Sequence, residues 1–289
     1  MDNREEVRDF LRSRRARITP EQAGLPDFGG TRRVAGLRRE EVALLAGMSV
    51  DYYVRLERGG LAGASDSVLA SLARALQLDE FERAHLRDLA RAAGAPKRAP
   101  RRRSRERTVP RSVRLTLQAI TGAPAVVVDE KLDLLATNPL GRALYAPVLE
   151  ETARVPNHLR FAFLDPRARD YWVDWSRAAQ DSVGALRSAA ARDPYDEGLT
   201  ALVGELSTRS EDFRTLWAAH PVHVHTSGTK RIQHPVAGRL ELVFDSMAIT
   251  AAAGLSLVVY SAEPGSSTAD ALAALASWEA SRDPVAARA

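Results

Sequence analysis

The sequence predicts two domains of different fold class: an all-α N-terminal domain of about five helices in residues 1–94, and an α+β C-terminal domain in residues 111–289. In the first part, apolar residues recur at helical spacing between capping and glycine signals. The second part has apolar runs typical of strands near both of its ends, with helical patterns between them. Residues 95–110 carry prolines, 7 basic residues and 1 acidic residue, as a solvated basic linker does. The second domain is therefore expected to be an antiparallel sheet covered by helices.

The composition restricts the class of protein. The 289 residues include no cysteine, so disulfides, thiolate metal sites and cysteine nucleophiles are excluded. The start of the chain lacks an apolar signal region, and no apolar run approaches the roughly 18 residues of a membrane span. We therefore expect a cytoplasmic protein with no membrane partner. Residues 1–110 hold 23 Lys+Arg and 16 Asp+Glu, a net charge of +7, which makes this part the expected binder of a polyanion.

Helix signals follow one another through the N-terminal part. Residues 3–17 have the spacing of an amphipathic helix, and Thr19–Gln22 has the pattern of a capping box that starts a short second helix. Later helices are expected after a cap at Ser65 or Asp66 and from Asp79 onward. The inner face of the last helix is expected to contain Phe81, Leu86 and Leu89.

The stretch RREEVALLAGMSVDYYVRLERG, from Arg38 to Gly59, predicts two short helices with a tight corner between them. Gly47 ends the first helix where a left-handed backbone is needed, and Ser49 can cap the second. The spacing places an apolar set on the inner side: Val42, Ala43, Leu45, Tyr53 and Leu56. An α-helix fits the DNA major groove, and the first turns of the second helix in such a pair reach base edges. The outward residues are therefore candidate DNA contacts.

The candidate DNA-binding residues are Arg32, Arg33, Arg38, Arg39, Ser49, Val50, Asp51, Tyr52, Arg55 and Arg58. The four arginines ahead of the first helix are expected to grip phosphates, and the start of the second helix is expected to read bases. Asp51 is repelled by phosphates unless it accepts from a cytosine amino group or pairs with Arg55. The alternative is an ordinary helical hairpin with a solvated charged face. The corner, the cap and the arginines at these offsets favour DNA binding.

In the C-terminal part, the apolar runs Ala125–Asp129 and Leu132–Ala136 predict a β-hairpin, and Asn138-Pro139 predicts the cap of a helix. Asp165-Pro166 predicts the start of a helix that continues to about Arg192. Other helices are expected at residues 112–121, 199–206, 211–219 and 268–281, and strands at residues 222–226, 229–234, 239–249 and 256–262.

The two-helix motif resembles the helix-turn-helix of lambda-repressor-like (XRE) regulators, in the actinobacterial form with an arginine-bearing loop before the motif. The stretches LDLLATNPLGRALYA, FLDPRARDYWVDWSRAAQ, LVGELSTRSEDFRTLWAAH and GTKRIQHPVAGRLEL are similar to the MmyB-type ligand-binding domain, a PAS-like module. The resemblance implies a transcription regulator that binds duplex DNA and holds a lipophilic small molecule, such as a fatty-acid-like chain. The family more often has neutral polar residues where this chain has Val50 and Asp51.

The resemblance also implies an apolar cavity between helices and sheet. The candidate ligand-binding residues are Phe161, Tyr171, Trp172, Trp175, Arg209, Phe213, Trp217, His220 and Lys230. The aromatic members would line the cavity, and Arg209, His220 and Lys230 would pair with a carboxylate head group. Aromatic residues at helical spacing also form ordinary cores, and basic residues also form structural ion pairs, so both interpretations stay open.

No cofactor, metal or catalytic activity is expected. His220, His223, His225 and His234 lie close together in the sequence, but their spacing matches no strong zinc pattern. A nucleophile elbow, a phosphate loop and a dinucleotide fingerprint are all missing from the sequence.

Two functions of different class remain. In the first, the C-terminal domain of a DNA-binding regulator senses a lipophilic small molecule; in the second, that domain only dimerises or recruits a protein partner. One helix-turn-helix per chain predicts a homodimer on an inverted-repeat operator. We expect a ligand signal to pass through the dimer interface and the helix that starts at Ser112.

Overall fold

The computed structural model describes residues 3–26, 34–94, 108–150, 154–220 and 226–282. The chain forms two compact units. Unit 1 consists of Met1–Ser104 together with two later segments, Arg187–Ala201 and Leu216–Val224; unit 2 consists of Arg105–Leu186, Leu202–Thr215 and His225–Ala289. The N-terminal helices thus share their unit with two segments from the C-terminal part of the sequence. Of the predicted linker, residues 95–107 lie outside the described residues.

In its described N-terminal part, unit 1 contains the helices α1 (Asn3–Arg17), α2 (Arg39–Ala46), α3 (Val50–Glu57), α4 (Asp66–Ala75) and α5 (Glu80–Gly94). The all-α class is confirmed. The predicted helix after Thr19 is wrong, although its capping box forms: the Thr19 amide donates to Gln22 Oε1 at 2.9 Å. Only one turn follows, because Gly24 adopts a left-handed φ of 70° that ends it.

The corner between α2 and α3 is built by local chemistry. Gly47 takes a left-handed φ of 66°, and the amide of Met48 donates to the carbonyl of Ala43 at 3.0 Å. The Ser49 hydroxyl then accepts a hydrogen bond from the Tyr52 amide at 3.2 Å and caps α3. Both signals were predicted from the sequence, and both are confirmed.

The apolar faces of these helices form the core of unit 1. Its buried members include Phe10, Leu11, Val42, Ala43, Tyr53, Leu56, Leu72, Leu86 and Leu89. Leu45 is half-buried against this core. The expectation for Phe81 is wrong, because its side chain is 37% exposed. The buried face of α5 contains Glu82 and His85 instead: Glu82 pairs with Arg14, and the His85 ring packs on Phe10 at 4.9 Å.

Along the chain, the remaining elements are α6 (Arg111–Ala119), β1 (Ala125–Asp129), β2 (Leu134–Thr137), α7 (Pro139–Leu144), α8 (Ala146–Leu149), α9 (His158–Leu164), α10 (Ala168–Tyr171), α11 (Trp175–Arg192), α12 (Glu197–Arg209), α13 (Glu211–Ala218), β3 (Ser227–His234), β4 (Gly238–Ala248), β5 (Leu255–Ser261) and α14 (Ser267–Arg282). Three of the helices, α11, α12 and α13, have residues in both units. The strand predicted at residues 222–226 lies outside the described residues except for Thr226, which is in a bend.

The five strands form an antiparallel sheet in the order β2-β1-β5-β4-β3. Alternate side chains point to opposite faces, so Val126 joins a core with Tyr260 and Trp172, whereas Val127 faces α6. Val109, from the end of the predicted linker, is buried on the α6 face. The expected α+β architecture, an antiparallel sheet covered by helices, is confirmed.

The long helix predicted from Asp165 to Arg192 is interrupted. Its backbone becomes extended at Trp172, which forms a bridge with Ile232 of β3, and the Val173 amide donates to the Arg231 carbonyl at 3.1 Å. The edge of the sheet thus takes over hydrogen bonds that a continuous helix would make internally. This pairing places the Trp172 ring against the sheet.

Asn138 joins the hairpin, α6 and α7. Its Oδ1 accepts from the amides of Gly141 at 2.7 Å and Ala125 at 2.9 Å. Its Nδ2 donates to the carbonyls of Ile120 at 2.6 Å and Ala123 at 2.7 Å. Because the side chain is buried, no water replaces these partners when they are lost.

We expect Asn138→Ala to lower the free energy of unfolding by about 2–4 kcal/mol, because buried donors and acceptors lose their partners at about 1–3 kcal/mol each. Ser266→Ala is the matched control in the same unit: its hydroxyl accepts one bond, at 3.2 Å from Ala269, and is less buried. Urea unfolding of both variants measures the difference. Equal losses would contradict the role given to Asn138.

Candidate DNA-binding and ligand-binding sites

The exposed start of α3 carries the predicted base-reading residues. Ser49, Val50, Asp51 and Arg55 are exposed, and Tyr52 is half-buried. The Arg55 guanidinium lies 4.7 Å from the centroid of the Tyr52 ring, a cation–π contact. This contact holds the two side chains against each other on the surface of α3. Arg58, just beyond the helix, is also exposed.

A buried carboxylate holds this surface together from behind. Glu57 Oε1 accepts from Arg15 Nε at 2.7 Å and from the Tyr53 hydroxyl at 3.2 Å, and Glu57 Oε2 accepts from Arg39. Burial opposes ionisation of Glu57, but the hydrogen bonds from Arg15 and Arg39 outweigh it and keep the pKa of its carboxyl below the usual value. Glu57 therefore links α1, α2 and α3.

The predicted phosphate-binding arginines have different environments. Arg39 is tied to Glu57 but remains 51% exposed. Arg38 is half-buried, and its guanidinium lies 3.7 Å from Glu40. Arg32 and Arg33 lie outside the described residues. Of the four, Arg38 and Arg39 thus flank the start of α2 in the structure.

In unit 2, a lysine lies against three aromatic rings. The Lys230 ammonium is 4.8 Å from the ring centroid of Phe244, 5.3 Å from that of Trp172 and 5.9 Å from that of Tyr260. The four residues come from β3, β4, β5 and the break before α11. We call them, together with Tyr145, the aromatic centre; the hydroxyls of Tyr145 and Tyr260 are hydrogen-bonded.

The surroundings of Lys230 disfavour its charge. Burial lowers the pKa of Lys230 to about 8, and the negative charge of Asp181 only partly opposes this effect. Burial and the charge of Lys230 together lower the pKa of His158 to about 3, so the imidazole is neutral at physiological pH. Within the described ranges, no carboxylate forms an ion pair with Lys230.

Trp172 adds an unused hydrogen-bond donor to the aromatic centre. Its side chain is 1% exposed, and among the described residues its indole N–H has no acceptor. The His158 ring lies 5.2 Å from the Trp172 ring, and the Tyr171 ring lies 4.7 Å from it. A buried donor without an acceptor is unusual in a folded protein.

The structure brings some predicted ligand-binding residues together and separates others. Phe161, Tyr171, Trp172 and Lys230 belong to the aromatic centre or touch it. Trp175 packs on the core that contains Trp172 and also on Phe163, at 5.9 Å, whereas Phe213 packs on Phe163 at 5.2 Å. Arg209 is exposed and pairs with Glu205 at 3.0 Å. Trp217 and His220 lie in unit 1.

Sequence reasoning missed four members or neighbours of this centre: Tyr145, His158, Phe244 and Tyr260. Tyr260 and Phe244 follow the alternation of buried strand residues, which marks them as core but not as part of a site. The position of His158 has no signal in the sequence, because its neighbours come from later elements.

Neither a metal site nor a membrane helix is found in the described part of the chain. No three His, Asp or Glu residues there come together as ligands for a metal ion. His223 and His225 lie outside the described residues, and His234 Nε2 lies 3.1 Å from the carbonyl of Ala143. None of the described helices combines the length and apolar character needed to cross a bilayer.

Comparisons with known families assign a domain to each part of the sequence. Residues 6–86 match the helix-turn-helix domain, and residues 109–275 match the MmyB-like transcription regulator ligand binding domain. A search of curated proteins finds no match. The two domains define a DNA-binding transcription regulator with a ligand-sensing domain. The chain belongs to the family of MmyB-like transcription regulators. The resemblance seen in the sequence is confirmed, whereas XRE subgroup and actinobacterial origin stay predictions.

We expect Arg55→Ala to change the ranking of operator variants, because Arg55 is exposed on the base-reading turn and one base contact discriminates by about 1–3 kcal/mol. Arg38→Ala is the matched control and should weaken binding to all duplexes about equally, as loss of a phosphate contact does. Fluorescence anisotropy on a panel of duplex variants measures both. A uniform loss for Arg55→Ala would contradict this division of roles.

Proposed function

We propose that the protein regulates transcription as a homodimer on an inverted-repeat operator, and that its ligand is a lipophilic molecule with an anionic head group, such as a fatty-acid-like carboxylate. Lys230 carries the proposal: a partly buried cation lies on aromatic rings without an ion-pair partner among the described residues. An anion beside Lys230 would offset the cost of burying its charge. The apolar rings around it suit an alkyl or acyl chain.

The Trp172 indole supports the same proposal. A carboxylate accepts hydrogen bonds at both oxygens, and the buried N–H of Trp172 is a donor still without an acceptor in the described structure. The neutral His158 beside it adds a ring nitrogen that can donate or accept. Cation, indole donor and imidazole together favour an anionic polar head over a purely apolar ligand.

Dimerisation is the second part of the proposal. On β4, Val243 and Met247 are exposed on the face opposite the core, and Leu115 of α6 is exposed as well. Contiguous exposed apolar patches mark protein interfaces. A second copy is the occupant that one helix-turn-helix per chain requires for an inverted repeat. A domain that only dimerises or recruits a protein remains the alternative to ligand sensing.

We expect the protein to take up about half a proton per site when dodecanoate binds near pH 8. The bound anion favours the protonated form of Lys230 and raises its pKa from about 8. Isothermal titration calorimetry in buffers of different ionisation enthalpy measures the uptake. Lys230→Met should bind more weakly and take up no proton. Binding without uptake in the wild-type protein, or no binding at all, would reject the proposed head-group site.

We expect Val243→Glu to convert the dimer to a monomer and to reduce operator protection to one half-site. Two glutamates would meet across a two-fold interface, where like charges repel. Val236→Glu is the matched control, because Val236 is also exposed in unit 2 but lies in the β3–β4 turn. Sedimentation velocity and footprinting measure the two effects. A dimeric Val243→Glu would place the interface elsewhere.

A further inference from the structure

Unit 1 contains a cluster of buried ionisable side chains. We call it the Arg187 cluster; it consists of Glu6, Arg14, Glu82, His85, Arg187 and His220. Glu6 and Arg14 come from α1, and Glu82 and His85 from α5. Arg187 comes from the last turns of α11, and His220 follows α13. Arg187 and His220 belong to the region that matches the ligand binding domain, yet they contact residues of the region that matches the helix-turn-helix domain.

Arg187 makes the central contacts of this cluster. Its side chain is fully buried, at 0% exposure. One guanidinium nitrogen, Nη1, forms an ion pair with Glu6 and lies 2.9 Å from His220 Nδ1. The other, Nη2, donates to the carbonyl of Trp217, and the guanidinium lies 4.0 Å from the centroid of the Trp217 ring. The end of α11 is therefore bound to α1 by a buried charge pair.

Arg14 makes a second connection between the same parts of the chain. Its Nη2 donates to the carbonyl of His220 at 2.7 Å, and its Nε lies 2.8 Å from Glu82 of α5. Burial opposes ionisation of Glu6, but His220 and Arg187 outweigh it and lower the pKa of Glu6 to about 2. Burial lowers the pKa of His85 to about 3, so its imidazole is neutral. Two arginines and two glutamates thus compensate each other here.

The first turn of α11, at the opposite end from Arg187, packs beside the aromatic centre. The Trp175 indole N–H donates to the carbonyl of Ala162 at 2.8 Å, and Trp175 packs against the core that contains Trp172. Asp181, on α11, is the carboxylate whose charge acts on Lys230. From Asp181 to Arg187 the helix rises about 9 Å. One continuous helix thus packs on the core that contains Trp172 and, through Arg187, binds α1.

We propose that α11 transmits the state of the aromatic centre to the DNA-binding helices through the Arg187 cluster. The inference rests on the proposed function and assigns the regulation of that same site. An anion bound at Lys230 would lie beside Trp172, and because Trp175 and Ala178 of α11 pack on the core that contains Trp172, it would change the position of α11. A buried ion pair is held only in a narrow geometry, so a shift of α11 favours a second arrangement of Arg187 and α1. Because α1 is linked to α3 through Arg15 and Glu57, the position of the base-reading helix α3 would then differ between the two states.

A double-mutant cycle tests this coupling without any ligand. Lys230→Met perturbs the aromatic centre, and Glu6→Gln with Arg187→Met removes both charges of the buried pair. Affinity is measured for a duplex selected by the wild-type protein from a random pool. We expect Lys230→Met to change affinity about fivefold or more in the wild-type background, as typical couplings do. In the Glu6→Gln/Arg187→Met background the change should fall within about twofold, the limit of additivity.

Equal effects of Lys230→Met in the two backgrounds, or no effect in either, would overturn the proposal. Arg177→Met is the matched control, because Arg177 is an exposed arginine on the same helix and should leave the effect of Lys230→Met unchanged. If the Glu6→Gln/Arg187→Met protein does not fold, amide hydrogen exchange of wild-type and Lys230→Met proteins decides. Changed protection in α1 and at the end of α11 supports the proposal, and unchanged protection rejects it.

A separate titration with dodecanoate distinguishes failure of the two proposals. If dodecanoate does not bind the wild-type protein, the proposed ligand class is wrong, while the mutant cycle still decides on the α11 route. If dodecanoate binds and shifts operator affinity equally in wild-type and Glu6→Gln/Arg187→Met proteins, the proposed function stands and the α11 route is rejected.

Discussion

A charge buried in a protein has to be compensated where it lies, and this requirement shapes unit 1. Glu57 draws Arg15, Arg39 and Tyr53 towards one carboxylate, so that three helices meet at a single point. Glu6 does the same with Arg187 of α11. Apolar packing alone tolerates small slips between helices, whereas these contacts fix direction as well as distance. The orientation of the base-reading helix therefore depends on polar contacts behind it.

The aromatic centre of unit 2 follows a different rule. Aromatic faces stabilise a cation only weakly compared with a carboxylate, and Lys230 has three rings but no ion pair in the described structure. Trp172 likewise has a buried N–H without a described acceptor. Buried donors without an acceptor also occur in unit 1, at Arg14 Nε and Arg187 Nε, but both of those arginines form ion pairs with buried glutamates, whereas Lys230 has none among the described residues. This contrast distinguishes a structural polar cluster from a site that suits a ligand.

Local chemistry could be predicted from the sequence, and long-range contacts could not. Gly47, Ser49 and Asn138 have their roles because of neighbouring residues, so the corner and the caps were visible in the sequence. The break at Trp172 depends on Ile232, which lies far along the chain, and the helical pattern around Trp172 gave no sign of it. Lys230 was found through the family resemblance, and its aromatic neighbours were not, because strand alternation marks core residues without separating them from site residues.

The position of Arg187 limits how freely the two halves of the gene can be exchanged. Regulators of this kind invite a modular view, in which a cut at the basic linker yields two independent parts. Here a fragment that ends at residue 94 would keep Glu6, Arg14 and His85 but lose Arg187 and His220. A chimaera joined at the linker would likewise bring a foreign α11 to α1. The DNA-binding helices and α11 must therefore be inherited, or engineered, as a matched pair.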